Sequence, residues 1–261
     1  MIEIFNIAIK AAIQAGHAIL KVYNSDNFEV ELKSDNSPLT LADRKAHEVI
    51  AEALKESDIP ILSEEGRGIP FAERRYWDRF WLVDPLDGTK EFVKRNGEFT
   101  VNIALIEKGK PVMGVIYVPV TDTLFFGSRN EGAFKREKAS TVENPLIGAI
   151  KLPFKKENDA YRVVASRSHM SPETVAYVDM LRKQHDDIEI ISKGSSLKLC
   201  LVAEGLADIY PRFGPTSEWD TAAGHAIVLA SGGKVVLTED ETKELIYNKE
   251  NILNPYFVAK R

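Results

Sequence analysis

Apolar residues open the chain at helical spacing. Ile2, Phe5, Ile9, Ile13 and Leu20 share one face of residues 2–23, and a second helical pattern covers about 40–56. The polar loop 24–38 between them, with Asp26, Asn27, Ser34, Asp35, Asn36 and Pro38, is a candidate lid. Short apolar runs with strand character follow at 59–63, 81–84, 99–106, 111–119 and 123–127, which predicts one large, mainly antiparallel sheet. The stretch 138–159 is polar, carries Pro145 and Pro153, and is the expected connection between a first half, 1–150, and a second, 151–261. Strands at 161–166, 188–192, 207–213 and 234–237 then alternate with helices at 172–184, 196–205 and 219–231, the signature of an α/β layer.

Composition narrows the class. The 261 residues are 44% hydrophobic and 28% charged, enough for a large core and unlike a disordered or coiled-coil chain. Lys and Arg total 34 against 39 Asp and Glu, and the net charge of -5 argues against a nucleic-acid polymer as partner. The single Cys200 forms no intrachain disulfide and sits in the apolar face of Leu197, Leu199 and Leu201, so it reads as a buried small hydrophobe in a reducing cytoplasm. Glu3 stands where a signal peptide is basic, Lys10 interrupts the first apolar run, and no stretch reaches the roughly 18–20 apolar residues of a membrane span.

The densest chemical signal is W-L-V-D-P-L-D-G-T-K-E-F at 81–92. A strand is expected to end at Asp84, Pro85 to turn the chain, Gly88 to permit tight backbone geometry, and Thr89 to begin a helix. Two carboxylates would then converge at a helix N-terminus, which favours a phosphate, while the carboxylates favour hard cations. A solvated acidic turn with Asp87 or Thr89 as a helix cap accounts for the same letters. Glu64-Glu65 ends another predicted strand, and Asp220 begins an apolar helix, either as its cap or as a third carboxylate. Acids at three element ends supply an oxygen set for magnesium. The aspartyl-phosphatase pattern D-x-D-x-T fails, because Pro85 and Leu86 separate the aspartates. Attack by metal-activated water without a phosphoenzyme is the chemistry expected, with Thr89 orienting the water and Asp43 as its partner.

Glu64-Glu65, D-P-L-D-G-T at 84–89 and W-D-T-A-A-G at 219–224 resemble, in order and over nearly the whole chain, the three signature motifs of the inositol monophosphatase superfamily of magnesium-dependent, lithium-sensitive phosphomonoesterases. The resemblance implies a mixed α+β fold layered as an α/β/α/β/α sandwich. It implies two or three Mg²⁺ ions held by Glu64, Asp84, the Leu86 carbonyl, Asp87 and Asp220, and catalysis by Thr89, Asp43 and Glu65. S-R-S-H at 166–169 and the stretch 194–220 resemble the bacterial 3′(2′),5′-bisphosphate nucleotidases, which remove the 3′-phosphate of adenosine 3′,5′-bisphosphate, a by-product of sulfate assimilation, and leave AMP. Inositol phosphatases typically carry a glutamate and apolar residues where this chain has Pro211-Arg212-Phe213.

A bisphosphate has a second phosphate that needs its own donors. His169, Ser195, Ser196, Lys198 and Arg212 are a suitable set, joined in the expected substrate site by Gly88, Thr89, Gly194 and Asp220. Each has a plainer reading, as helix caps for the serines and His169 and as surface charges for Lys198 and Arg212. The alternatives are an inositol or sugar monophosphatase of broad specificity and a nucleotide-sensing protein without turnover. The full set of matching carboxylates counts against the last. The expected partner is a small nucleotide bisphosphate, acted on by a monomer or homodimer in the cytoplasm or at the cytoplasmic face of the inner membrane.

Overall fold

The computed structural model describes residues 2–25, 30–32, 38–66, 68–154, 160–165 and 170–261. Most of the expected lid, His169 with its S-R-S-H neighbours, and the charged run 155–159 lie outside the described residues. The first half of the chain contains α1 (Ile2–Tyr23), β1 (Val30–Leu32), β2 (Pro38–Thr40), α2 (Leu41–Leu54), β3 (Ile61–Ser63), α3 (Phe71–Arg74), β4 (Arg79–Asp87), α4 (Thr89–Val93), β5 (Thr100–Glu107), β6 (Lys110–Val118), β7 (Thr123–Ser128), β8 (Gly132–Glu137) and β9 (Ile150–Leu152). The remainder contains β10 (Tyr161–Val164), α5 (Pro172–Arg182), β11 (Ile188–Ile191), α6 (Leu197–Glu204), β12 (Ile209–Arg212), α7 (Glu218–Ala230), β13 (Lys234–Leu237) and β14 (Phe257–Lys260).

Three apolar clusters make five layers. Ile9, Ile19, Ile50 and Leu54 of α1 and α2 pack on Trp81, Val101 and Val115 of the seven-stranded sheet. Its other face, through Leu82, Ala104 and Ile116, packs on Leu199, Val202, Ala223 and Ile227 of α6 and α7, which in turn contact Val235 and Phe257 of the five-stranded sheet. Val178 and Leu181 of α5 cover that sheet's outer face at Val163, Ile209 and Val258. The order helices, sheet, helices, sheet, helix is the expected α/β/α/β/α sandwich. Among the described residues no helix is long and apolar enough to cross a membrane.

The larger sheet runs β3-β4-β5-β6-β7-β8-β9 and is antiparallel except between β3 and β4, as the apolar runs predicted. The smaller runs β11-β10-β12-β14-β13, parallel among the first three and antiparallel beyond. The stretch 138–159 is not wholly a connection, because Ile150–Leu152 pairs with β8 as the sheet's last strand. Three residues are too few to announce a strand by alternation.

The expected end of the strand at Asp84 is also corrected. Strand β4 continues to Asp87, with Asp84 opposite Asn102 and Asp87 opposite Thr100. Three steps on one strand against two on its partner make a bulge, which absorbs Pro85 where no ladder donor is needed. Residues two apart on β5 share a face, so the bulge turns Asp84 and Asp87 to the same side.

Helix α7 lies so close to the sheet that only glycine fits at the contact. A Cβ on Gly114 of β6 would stand 2.2 Å from the Ala223 carbonyl oxygen, and one on Gly224 would stand 2.4 Å from Leu199. This approach sets the height of α7, and therefore of Asp220, above the sheet. Gly114→Ala is expected to force α7 outward and destabilise the fold by about 1–3 kcal/mol. An unchanged midpoint of urea unfolding would contradict that packing argument.

Candidate active site

Each acidic residue reaches the site from a differently built element. Glu64 follows β3, its N–H donating to the Val83 carbonyl at 3.1 Å, which fixes the two parallel strand ends side by side. Asp84 is 1% exposed and its Oδ1 accepts from the Leu86 N–H at 3.0 Å, an Asx turn inside the bulge. Asp220 is the third residue of α7, and its Oδ2 caps the Ser217 N–H at 2.8 Å in a capping box. Glu64, Asp84 and Asp220 each bring one carboxylate oxygen within 4.8 Å of the others. Asp87 stands outside that trio, its Oδ2 taken by Ser196 Oγ at 2.5 Å.

The charges acting on Asp84, from Glu64, Asp87, Asp220 and Asp43, are all negative, and with burial as the larger cause they push its carboxyl well above the ordinary range. Burial and then the Asp87 charge push Asp220 up to about 8. Buried acids that repel one another at neutral pH are matched by a hard cation, which takes oxygen ligands and neutralises them. The donor set fits a divalent metal.

Beside the trio, Asp43 is buried at the third position of α2. Its Oδ2 accepts from Thr40 N at 2.7 Å and from Thr40 Oγ1 at 2.5 Å, a capping box that leaves Oδ1 facing Thr89 Oγ1 at 3.3 Å. The Leu86 carbonyl lies 3.3 Å from the same hydroxyl, while the Leu86 side chain is buried against α1 and α2. Glu65 occupies the turn after β3 and raises the pKa of His47, which burial lowers by more. Thr89 begins a helix, as expected, but one of only five residues, behind Gly88 at φ 90°. A Cβ on Gly88 would lie 3.1 Å from Ser195 Cβ and 3.2 Å from the Glu98 carbonyl, so glycine is required by space as well as by backbone.

The loop 193–196 closes the site from the second sheet. Glu98 holds it through the Gly194 N–H at 2.7 Å and Lys193 Nζ at 3.1 Å. Ser195 adopts φ 42°, and its carbonyl accepts from Lys198 Nζ at 3.1 Å. Arg212 at the end of β12 donates from Nη2 to the Pro215 carbonyl, and its buried Nε has no partner among the described residues. Two adjoining cavities meet here. One, about 270 Å³, is lined by Asp87, Gly88, Ser195, Ser196 and Asp220; the other, about 510 Å³, is lined by Gly194, Ala165, Thr174 and Phe213. Glu91, Lys198, Tyr210 and Arg212 line both.

The profile of the inositol monophosphatase family matches residues 1–259. The chain belongs to the inositol monophosphatase family. Within this family it is 48% identical over 250 residues to the 3′(2′),5′-bisphosphate nucleotidase CysQ of Salmonella typhimurium, covering 94% of this chain and 95% of that one. The enzyme of the same description from Escherichia coli K12 is 46% identical over the same shares. The crystal structure of CysQ from Bacteroides thetaiotaomicron, described as a bacterial member of the family, superposes with a TM-score of 0.90 at 51% identity, covering 97% of this chain and 95% of the other.

The fold thus brings Asp43, Glu64, Asp84, Leu86, Asp87, Gly88, Thr89, Gly194, Ser195, Ser196, Lys198, Arg212 and Asp220 to one region, while Glu65, next to Glu64 in the chain, acts on His47. Asn102, Glu91, Glu98 and Tyr210 escaped the reading of motifs. For Asn102 a signal existed, a lone amide inside the apolar run T-V-N-I-A-L-I. Glu91 and Glu98 look like ordinary surface acids until the second sheet folds over them.

The raised Asp220 makes the metal-free fold sensitive to pH with a definite sign. The folded protein keeps a proton between about pH 8 and 3.8 that the unfolded chain releases, so in chelator stability rises as pH falls through that window. Asp220→Asn is expected to flatten the slope, and saturating divalent cation to abolish the difference. Parallel pH profiles for the two proteins in chelator would refute the electrostatic account.

Proposed function

We propose that the chain is a divalent-cation-dependent 3′(2′),5′-bisphosphate nucleotidase that converts adenosine 3′,5′-bisphosphate and water to AMP and inorganic phosphate in sulfur assimilation. The observation that carries this reading is the pair of cavities joined across Lys198 and Arg212. A carboxylate cluster lies at one end and a space large enough for a nucleoside at the other. A monophosphate needs only the first. The kinship with bisphosphate nucleotidases over 94% of the chain supports the same choice.

Glu64, Asp84, the Leu86 carbonyl, Asp87 and Asp220 would hold the cation, Mg²⁺ in this proposal and two or three ions in number. When bound it supplies positive charge at the phosphoryl oxygens and acidifies water. The chain's own residues do the aiming. A hydroxyl has one hydrogen, and Thr89 shares it between Asp43 Oδ1 and the Leu86 carbonyl, both at 3.3 Å. Were that carbonyl given to the cation, the Thr89 hydrogen would be left to Asp43 Oδ1, and Thr89 Oγ1 could accept a hydrogen bond from the attacking water. Asp43, already fixed by Thr40, is the base that receives the proton through Thr89. Glu65, in the turn beside Glu64, is the further acid of this machinery. Water oxygen bonds to phosphorus, the bond from phosphorus to O3′ breaks, and O3′ leaves as the AMP hydroxyl after taking up a proton. Lys198 and Arg212 hold the 5′-phosphate that is not cleaved, the free Arg212 Nε supplying a donor. Gly88 and the loop 194–196 wall the cleaved phosphate.

Phosphate release from adenosine 3′,5′-bisphosphate, inositol 1-phosphate, fructose 1,6-bisphosphate and AMP at fixed Mg²⁺ tests the assignment. Preference for the first is expected, and preference for inositol 1-phosphate would replace it with the broader phosphatase reading. Lys198→Ala and Arg212→Ala are expected to raise KM for the bisphosphate about tenfold to a hundredfold with little change in kcat, because a contact kept from ground state to transition state is lost. A simple monophosphate should barely respond, and equal losses on both substrates would refute the anchoring role. Asp87→Asn is expected to lower kcat at least about a hundredfold.

A further inference from the structure

Asp87, which stands beside the three-carboxylate trio, is held by a hydrogen-bond chain that joins strands β4 and β5 to the head of α6. Ser196 Oγ donates to Asp87 Oδ2 at 2.5 Å and accepts from Asn102 Nδ2 at 2.9 Å. The Asn102 amide also lies 3.4 Å from the same Asp87 oxygen, and its Oδ1 accepts from Thr100 Oγ1 at 3.0 Å. Neither side chain is available to solvent, with Asn102 1% and Ser196 4% exposed. Nor does Ser196 cap α6 with its side chain, although it occupies the N-cap position. Its hydroxyl is instead directed at the acids, with the Asp220 carbonyl as a second acceptor at 2.9 Å.

We propose that Ser196 and Asn102 are positioning residues, which pin Asp87 Oδ2 so that Oδ1 faces the cation and which tie cation binding to nucleotide binding through the loop 193–196. Ser196 also lines the smaller cavity, so this role stands beside its expected place next to the substrate. Ser196 ends the loop whose Ser195 carbonyl steadies Lys198, so the hydroxyl that holds Asp87 for the cation belongs to the same backbone that presents the nucleotide donors. Coupling of this kind is reciprocal: whatever factor the cation adds to nucleotide affinity, the nucleotide adds to cation affinity. Groups that orient a metal ligand typically change metal affinity by about 10–100-fold when removed. The nucleotide half of this inference rests on the nucleotidase reading; the cation half does not.

The test is Mn²⁺ binding to chelator-treated full-length protein, read from the electron paramagnetic resonance signal of free Mn²⁺ with no substrate present. Ser196→Ala and Asn102→Ala are each expected to weaken binding about tenfold or more. The double variant should be no weaker than the worse single, because both act on one carboxylate oxygen. Ser196→Thr, which keeps the hydroxyl, should restore binding. An AMP titration with and without Mn²⁺ should show cation-enhanced affinity in the natural sequence and none in Ser196→Ala. If Ser196→Ala does not fold, as judged by thermal melting in chelator, Asn102→Ala decides. Natural Mn²⁺ affinity in the folded single variants would overturn the positioning role. Normal Mn²⁺ losses with no AMP binding by the natural protein would sink the nucleotide reading and leave the positioning role standing.

Discussion

Several carboxylates are held in and around one buried spot where the charges acting on Asp84 are all negative. Left alone, that arrangement opposes folding, and the chain accommodates it only by fixing each acid through its own backbone element. Asp84 is locked by an Asx turn, Asp220 by a capping box at the head of α7, and Asp43 by a second capping box at the head of α2. The surrounding sandwich resists the repulsion because its layers are close-packed: Gly114 lets α7 approach until backbone meets backbone, and Gly224 lets the Leu199 side chain of α6 close on α7. Stability given up locally becomes affinity for a dication.

Division of labour follows from where the two sheets meet. The seven-stranded sheet contributes the acids, through a parallel strand pair and a bulged strand, and so builds the end that handles charge. The five-stranded sheet contributes Arg212, and α6 beside it Lys198, and in the proposed function these build the end that recognises the rest of the substrate. Helix α7 lies between them and carries Asp220 in its first turn, so one rigid element sets the distance between the two ends.

The acids were legible in the sequence because each sits where a predicted strand or helix ends, and element ends are marked by apolar periodicity and by Pro and Gly. Their convergence was expected too, but the backbone device that turns two of them to one face was not. Asp84 and Asp87 are three apart, and in a regular strand they would point to opposite sides; only the bulge at Pro85, a tertiary feature of the pairing with β5, reunites them. The bridge from Ser196 to Asp87 was not legible either, because a serine before a helix carries no sign that its hydroxyl would reach a strand 109 residues away. Strand β9 was hidden for a different reason: three residues in a polar stretch carry no period. Apolar spacing recorded the succession of helices and strands, while the order of the five layers came from the resemblance to the family.

Diffraction from crystals grown with Mn²⁺, recorded at a wavelength where manganese scatters anomalously, tests the central claim that the acids form a cation site. The account predicts an anomalous peak within coordination distance of carboxylate oxygens of Glu64, Asp84 and Asp220, with Asp87 Oδ2 still bonded to Ser196. A metal-bearing crystal with no peak among those three residues would contradict it.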